Sequence, residues 1–113
     1  MDMIIESSAD RLPPPDVPPV VHDGVRYTQA EDGHDVGHAQ VGGVLVASAA
    51  DTGQRLWTLA VYGNPVDPQQ EADAQWLFFE SMAFDADGRL RIVNEAGVAF
   101  LVDVKRRTVT RAA

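Results

Sequence analysis

The chain has 113 residues, of which 45% are hydrophobic, and 17 acidic against 9 basic residues give it a net charge of −8. This length is typical of one domain, and dense apolar runs exclude a long disordered chain. The absence of cysteine excludes disulfides, thiolate zinc sites and a cysteine nucleophile. No apolar run approaches the roughly 18 residues of a membrane span, and the N-terminal residues do not resemble a secretory signal. We therefore expect a soluble, cytoplasmic, acidic protein that has no membrane partner.

The charge is unevenly distributed along the chain. Residues 1–88 hold 15 acidic and 3 basic residues, whereas residues 89–113 hold 2 acidic and 6 basic residues. The acidic part would repel the phosphates of nucleic acid, whose binding depends on Lys and Arg, so we expect no nucleic-acid partner. The basic end is interpreted as a solvated final hairpin whose cations pair with acidic neighbours.

The N-terminal stretch predicts an extended arm. Five of the seven residues 13–19 are proline, a composition that prevents a helix or a central strand and favours polyproline II. We therefore divide the chain into a Pro-rich arm, residues 1–19, and a single β domain, residues 20–113. Such an arm serves either as a stiff leader or as a ligand for the aromatic groove of a partner.

Short β-rich runs alternate with turns from residue 20 onward. Asp23-Gly24 lies between two valine-containing runs and is a strong hairpin signal. The predicted strands after this first hairpin cover residues 44–49, 55–62, 75–84, 89–93, 98–104 and 108–110. About eight strands with this spacing predict an all-β fold, an antiparallel meander that forms a small sandwich or barrel.

Two segments interrupt the strand pattern. Residues 31–43 contain four glycines without periodicity and are predicted to form a loop. Residues 63–74 are rich in acid and proline, and a short helix over residues 68–74 fits this stretch because Asp67 would be its N-cap. Residues 75–84 either continue that helix or form a strand, and their aromatic side chains favour the strand.

One pair of predicted strands has a familiar pattern. The segment from Val44 to Trp57 combines an apolar strand, an Asp-Thr-Gly turn and a tryptophan on the next strand. It resembles the repeat of quinoprotein-type β-propellers, and residues 83–103 are similar to propeller strands in their Asp-Gly and Glu-x-Gly turns. A propeller needs at least four blades of four strands, and this chain has strands for about two. The resemblance therefore implies blade-like hairpins in a small β domain, without the quinone site of the enzymes.

The densest set of potential metal ligands lies in the loop of residues 31–43. His34, His38 and Asp35 offer imidazole and carboxylate groups that suit zinc or another divalent ion. His22 is a candidate third imidazole. The alternative is a polar loop with incidental histidines, and apart from this metal no cofactor is expected.

The acidic stretch suggests an interface. Tyr62 and Trp76 flank it, and it contains Asp67, Glu71 and Asp73. Aromatic rings beside charged groups are typical of protein interfaces, although both rings would also fit a core. We predict that these five residues bind a protein partner.

The chain lacks the signatures of an enzyme. It has no nucleophile elbow, no phosphate-binding loop and no carboxylates that spacing directs to one point. We therefore expect a small, acidic, non-enzymatic protein-binding domain, such as an immunity-type antagonist of a basic protein. The alternative function is metal or small-ligand binding by His34 and His38. Exposed sheet edges would also allow a homodimer, with the basic final hairpin of one copy against the acidic body of the other.

Overall fold

Eight strands form two antiparallel sheets in the computed structural model, which describes residues 17–64, 69 and 75–112. The first sheet contains β1 (Val20–His22), β2 (Val25–Gln29), β3 (Val44–Ala49) and β4 (Arg55–Ala60). The second sheet contains β5 (Phe79–Phe84), β6 (Leu90–Asn94), β7 (Ala99–Asp103) and β8 (Thr108–Arg111). Each sheet is a meander of sequence neighbours, so the predicted all-β, antiparallel fold is confirmed.

Tight turns set the strand register. Asp23 and Gly24 have φ angles of 51° and 76°, and this pair of positive values is what a type I′ hairpin requires. The turn places His22 directly opposite Val25. In the second sheet, the Oδ1 atom of Asp85 accepts hydrogen bonds from the backbone N–H groups of Asp87 and Arg89, which closes the turn between β5 and β6.

The hydrophobic core lies between the two sheets. One buried cluster contains Tyr27, Leu45, Ala47, Val61, Phe79, Met82, Leu90, Ile92 and Val102, so both sheets contribute to it. The ring of Tyr27 on β2 meets that of Phe84 on β5 edge-on, with ring centroids 5.5 Å apart. The chain thus forms a single compact domain of two layers, which corresponds to the sandwich among the predicted alternatives.

The two interrupting segments differ from their predictions or lie outside the described residues. Residues 31–43 are not a plain loop, because Gly33–Val36 form one turn of 3₁₀ helix. Asp32 caps its N-terminus and Gly37, with φ of 92°, ends it. All residues of the helix predicted over residues 68–74 except Gln69, and most of the Pro-rich arm, residues 1–16, lie outside the described residues.

Two element boundaries follow from the described residues. Val17 already packs against the core cluster, and β1 begins at Val20. The strand predicted for residues 75–84 is confirmed in its second half, since β5 begins at Phe79. In the described part of the chain, no helix has the length and hydropathy that a membrane span requires.

Candidate functional site

The predicted interface is centred on the connection between the sheets, residues 65–74, which we call the acidic segment. Its three candidate carboxylates, Asp67, Glu71 and Asp73, lie outside the described residues. The two aromatic candidates, Tyr62 and Trp76, are described, and both are half-buried. The site is therefore built from the residues that precede and follow the acidic segment.

Asn64 links the two ends of the acidic segment. Its side chain is almost entirely buried, with 6% exposure. The Oδ1 atom accepts hydrogen bonds from the backbone N–H groups of Gly42 at 3.2 Å and Leu77 at 3.0 Å. The Nδ2 group donates to the carbonyl oxygen of Gln75 at 3.0 Å. The residue just before the acidic segment is thus bonded to two residues just after it.

Two glycines permit this close approach of backbones. A Cβ atom at Gly42 would lie 2.3 Å from the carbonyl oxygen of Leu77 and 2.6 Å from Oδ1 of Asn64. Gly43 has φ of 84°, and a Cβ atom there would lie 2.9 Å from the carbonyl oxygen of Tyr62. Since glycine alone lacks a Cβ, Gly42 and Gly43 allow the loop before β3 to lie this close to the two ends of the acidic segment.

Gln40 completes that support from the same loop. Its Nε2 group donates hydrogen bonds to the carbonyl oxygens of Gly42 and Tyr62, both at 2.8 Å. The side chain of Gln40 therefore bonds to Gly42, which precedes β3, and to Tyr62, which follows β4. This arrangement fixes where the chain leaves the first sheet and enters the acidic segment.

Tyr62 packs this end of the chain onto the second sheet. Its hydroxyl donates to the carbonyl oxygen of Leu77 at 2.6 Å. Its ring stacks on Phe100 with a centroid distance of 5.1 Å and meets Phe79 edge-on at 6.1 Å. Burial raises the pKa of the phenol above its usual value of 10.0, and the carboxylate of Glu95 adds to the rise. The contacts of this ring are those of a residue at the margin of the core.

Trp76 marks the other end of the acidic segment. Its half-buried ring meets the buried ring of Phe78 edge-on, with centroids 6.4 Å apart. Two hydrogen bonds join Phe78 to Glu95. The backbone N–H of Phe78 donates to Oε1 of Glu95 at 3.0 Å, and the backbone N–H of Glu95 donates to the carbonyl oxygen of Phe78 at 3.0 Å. The chain after the acidic segment is therefore fixed to the turn between β6 and β7.

The two candidate metal-binding histidines of the 31–43 loop make separate contacts. The Nδ1 atom of His34 lies 2.8 Å from Oδ1 of Asp32, and the pKa of this carboxyl is lowered by hydrogen bonds from His34. The Nε2 atom of His38 lies 2.8 Å from Oγ1 of Thr58 on β4. Asp35 is exposed in the 3₁₀ turn. His38 thus holds the loop against the first sheet, and His34 stabilises the start of the turn.

His22, the candidate third imidazole, lies at the other edge of the first sheet. Its ring stacks on Phe84 with centroids 4.1 Å apart, and its Nε2 atom is 3.5 Å from Oδ2 of Asp23. Across residues 17–64, 69 and 75–112, no three His, Asp or Glu side chains are grouped so that they could hold a metal ion. Each of the three histidines contacts a different residue: His22 stacks on Phe84, His34 bonds to Asp32 and His38 bonds to Thr58.

The supporting residues of the site, Asn64 and Gln40, are not marked by any motif in the sequence. Asn64 stands between Gly63 and Pro65 and has the composition of an ordinary turn, so nothing marked it as buried. Gln40 lies in a glycine-rich stretch for which a loop was predicted. The one available signal was the length of the connection between two strong strand patterns, since such a connection needs internal hydrogen bonds to remain ordered.

Comparison of this chain with protein-family models, with curated proteins and with solved structures finds no match. The resemblance of residues 44–57 and 83–103 to quinoprotein-type β-propeller repeats stays a prediction. The function is therefore argued from the residues and geometry of the site.

Proposed function

We propose that this protein is a non-enzymatic, protein-binding β domain that uses the acidic segment to bind a basic partner protein. The observation that supports this proposal is the bonding of Asn64 to Gln75 and Leu77, which holds the two ends of the segment together. A recognition segment with fixed ends loses less conformational entropy on binding than a free one, so more of its contact energy contributes to affinity.

The charge of the segment supports a basic partner. No lysine or arginine occurs between Arg55 and Arg89, so no cation close in sequence neutralises Asp67, Glu71 and Asp73. The whole chain carries a net charge of −8. A negative protein with a negative recognition segment attracts a basic protein over a distance comparable to the Debye length and accelerates the encounter.

A concrete form of the proposal is an immunity-type antagonist, a small cytoplasmic acidic protein that covers the basic surface of a toxin. The small size and the acidic charge support this form. Partly buried Trp76 would contribute apolar contact beside the carboxylates, in keeping with the enrichment of aromatic residues at interface centres. The metal-binding alternative receives no comparable support from the contacts of His34 and His38.

The test is a matched pair of charge-reversal variants. One variant carries Asp67→Lys, Glu71→Lys and Asp73→Lys. The control carries Glu31→Lys, Asp51→Lys and Glu80→Lys, which change the net charge equally at exposed positions of the described structure. Affinity capture from the native lysate at low salt, elution at high salt and mass spectrometry identify the partner, and calorimetry with the purified pair measures its affinity.

The expected result is a stoichiometric basic protein that wild type and control retain and that the segment variant binds at least about tenfold more weakly. Equal affinities of the two variants would show that the charge of the segment does not determine binding. Absence of any salt-eluted partner, or an acidic partner, would also overturn the proposal.

A further inference from the structure

The last strand, β8, has an outer edge with which no strand of the described structure pairs. The other three edge strands are short or irregular. Strand β1 has three residues and follows two prolines, and the pairings of β4 with β3 and of β5 with β6 each contain a register shift. The pairing of β8 with β7 is regular from Thr108 to Arg111. Short length and bulges protect a sheet edge from pairing with further strands, so β8 is the edge best suited to accept one.

The backbone groups of β8 point alternately to β7 and to the open edge. The backbone N–H of Ala112 donates to the carbonyl oxygen of Ala99 at 2.9 Å. Bonded and non-bonded residue pairs alternate along an antiparallel pairing, so Thr110 is bonded to β7 in the same way. The N–H and carbonyl groups of Val109 and Arg111 therefore point to the open edge, where an added antiparallel strand would bond to them.

Two arginines flank this edge. Arg111 ends the strand, Arg107 directly precedes it, and both are exposed. The Cζ atom of Arg107 lies 5.3 Å from the centroid of the Trp57 ring on β4. This stacking holds the guanidinium in place and leaves the N–H groups at its rim as donors. Across residues 17–64, 69 and 75–112, neither arginine forms an ion pair.

The carboxylates at the adjoining turns of the second sheet lie near other cations. Arg89 forms ion pairs with both Asp85 and Asp87, and the Nε atom of Arg106 lies 4.0 Å from Oδ2 of Asp103. These contacts leave Arg107 and Arg111 without a carboxylate. Residues 104–113 contain four cations and no acidic residue. The edge of β8 is therefore positive, although the chain as a whole is acidic.

We propose that β8 binds an extended, acidic segment of another protein as an additional antiparallel strand of the second sheet. Backbone hydrogen bonds to Val109 and Arg111 give affinity, as in other complexes in which a peptide extends a sheet. A partner residue opposite Val109 has its neighbours two positions away opposite Arg107 and Arg111. The segment therefore carries two acidic residues four positions apart. The residue midway between them is apolar, because Val109 packs against the core cluster.

The same arginines disfavour pairing of β8 with the β8 of a second copy. When the two Val109 residues face each other in an antiparallel pairing, Arg111 of each copy lies across from Arg107 of the other. Like charges directly opposite each other destabilise a strand pair. The edge thus discriminates against its own copy and favours a partner of opposite charge.

The test uses the full chain, labelled with nitrogen-15, and three peptides that contain Asp-Thr-Val-Thr-Asp, Lys-Thr-Val-Thr-Lys or Asp-Thr-Pro-Thr-Asp between Gly-Ser ends. In the free protein, the amides of Val109 and Arg111 should exchange with solvent faster than that of Thr110. The first peptide should shift both amide signals in a saturable way and slow their exchange. The other two should bind at least about tenfold more weakly, since one reverses the charges and the other lacks the central N–H.

Three variants separate this site from general electrostatic attraction. Arg111→Ala should weaken binding of the first peptide about fivefold to tenfold, and Arg111→Lys should restore most of it. Arg91→Ala removes the same charge from β6, two strands away from the open edge, and should leave the affinity unchanged within about twofold. None of these residues lies at the ends of the acidic segment, so the test is independent of the proposed function.

Equal weakening by Arg111→Ala and Arg91→Ala would show that the arginine at the edge has no special part and would overturn the proposal. Equal binding of the proline peptide would exclude an added strand. Slow exchange of the Val109 and Arg111 amides in the free chain would show that another part of the protein already covers this edge, and would overturn the proposal as well.

Discussion

The hydroxyl of Tyr62 donates a 2.6 Å hydrogen bond to the carbonyl oxygen of Leu77, and so joins the chain that leaves the first sheet to the chain that enters the second. Tyr62→Phe removes this bond and keeps the ring that stacks on Phe100. The carbonyl oxygen is left without that donor, so we expect the free energy of unfolding to fall by about 1–2 kcal/mol. Urea unfolding measures the change, and an unaltered midpoint would show that water replaces the hydroxyl at no cost.

The raised pKa values of the two tyrosines predict that the protein loses stability at alkaline pH. The pKa values of Tyr27 and Tyr62 are both raised above the ordinary 10.0, chiefly by burial. Since the unfolded chain ionises at lower pH than the folded one, the stability associated with these groups is fully present below pH 10 and is lost as the pH rises above it. Absorbance at 295 nm should show no tyrosine of the folded protein half-ionised at pH 10, and chemical unfolding should become easier above that pH. A folded protein in which either tyrosine titrates normally would contradict this prediction.

Asn64→Ala should destabilise the protein more than the removal of an exposed amide side chain does. It removes the acceptor of two backbone N–H groups, those of Gly42 and Leu77, and the donor to Gln75. We expect a loss of about 2–4 kcal/mol, because buried donors remain unpaired. Gln54→Ala at an exposed position is the control and should change stability by less than about 0.5 kcal/mol. Hydrogen exchange should accelerate at Leu77 and Gly42 in the Asn64 variant only. Unchanged exchange at these two amides would show that Asn64 does not hold the ends of the acidic segment together.

Alanine substitutions at Gly42 and Gly53 distinguish the cost of steric crowding from the cost of backbone strain. Gly42→Ala places a Cβ atom 2.3 Å from a backbone carbonyl oxygen, so we expect a loss of about 3 kcal/mol, at the upper end for overpacking. Gly53→Ala meets no atom within 4 Å and suffers only from its φ of 77°, a cost of about 1 kcal/mol. Thermal unfolding of both variants measures the difference. Equal losses would mean that the backbone near Leu77 moves aside without resistance.

The strands could be predicted from the sequence because local chemistry determines them. The Asp23-Gly24 turn, with its two positive φ angles, and the alternation of side chains in β6 and β7 are both visible in a few consecutive residues. The boundary at Phe79 was less visible, since Trp76 and Phe78 are as aromatic as the strand that follows them. The sandwich could not be distinguished from a barrel, because that choice depends on contacts between distant residues such as Tyr27 and Phe84.

The candidate site was predictable only in part, for the same reason. Aromatic and acidic residue types marked the region from Tyr62 to Trp76, but the burial of Asn64 depends on the approach of Gly42, 22 residues earlier in the chain. The cations at the end of the chain were expected to pair with acidic neighbours, and Arg89 and Arg106 do lie near Asp87 and Asp103.

Every strand pairing in the described structure joins two strands that are consecutive in sequence, and the sheets are connected through the acidic segment. Each sheet can therefore assemble from its own hairpins, with loop closures over short distances, before the two layers meet. A polypeptide cut within the acidic segment would yield two fragments that each carry four complete strands, whereas a cut in a hairpin would separate partners of one sheet. We expect the first pair of fragments to reassemble around the shared core, which makes this connection the natural position for a split form of the protein.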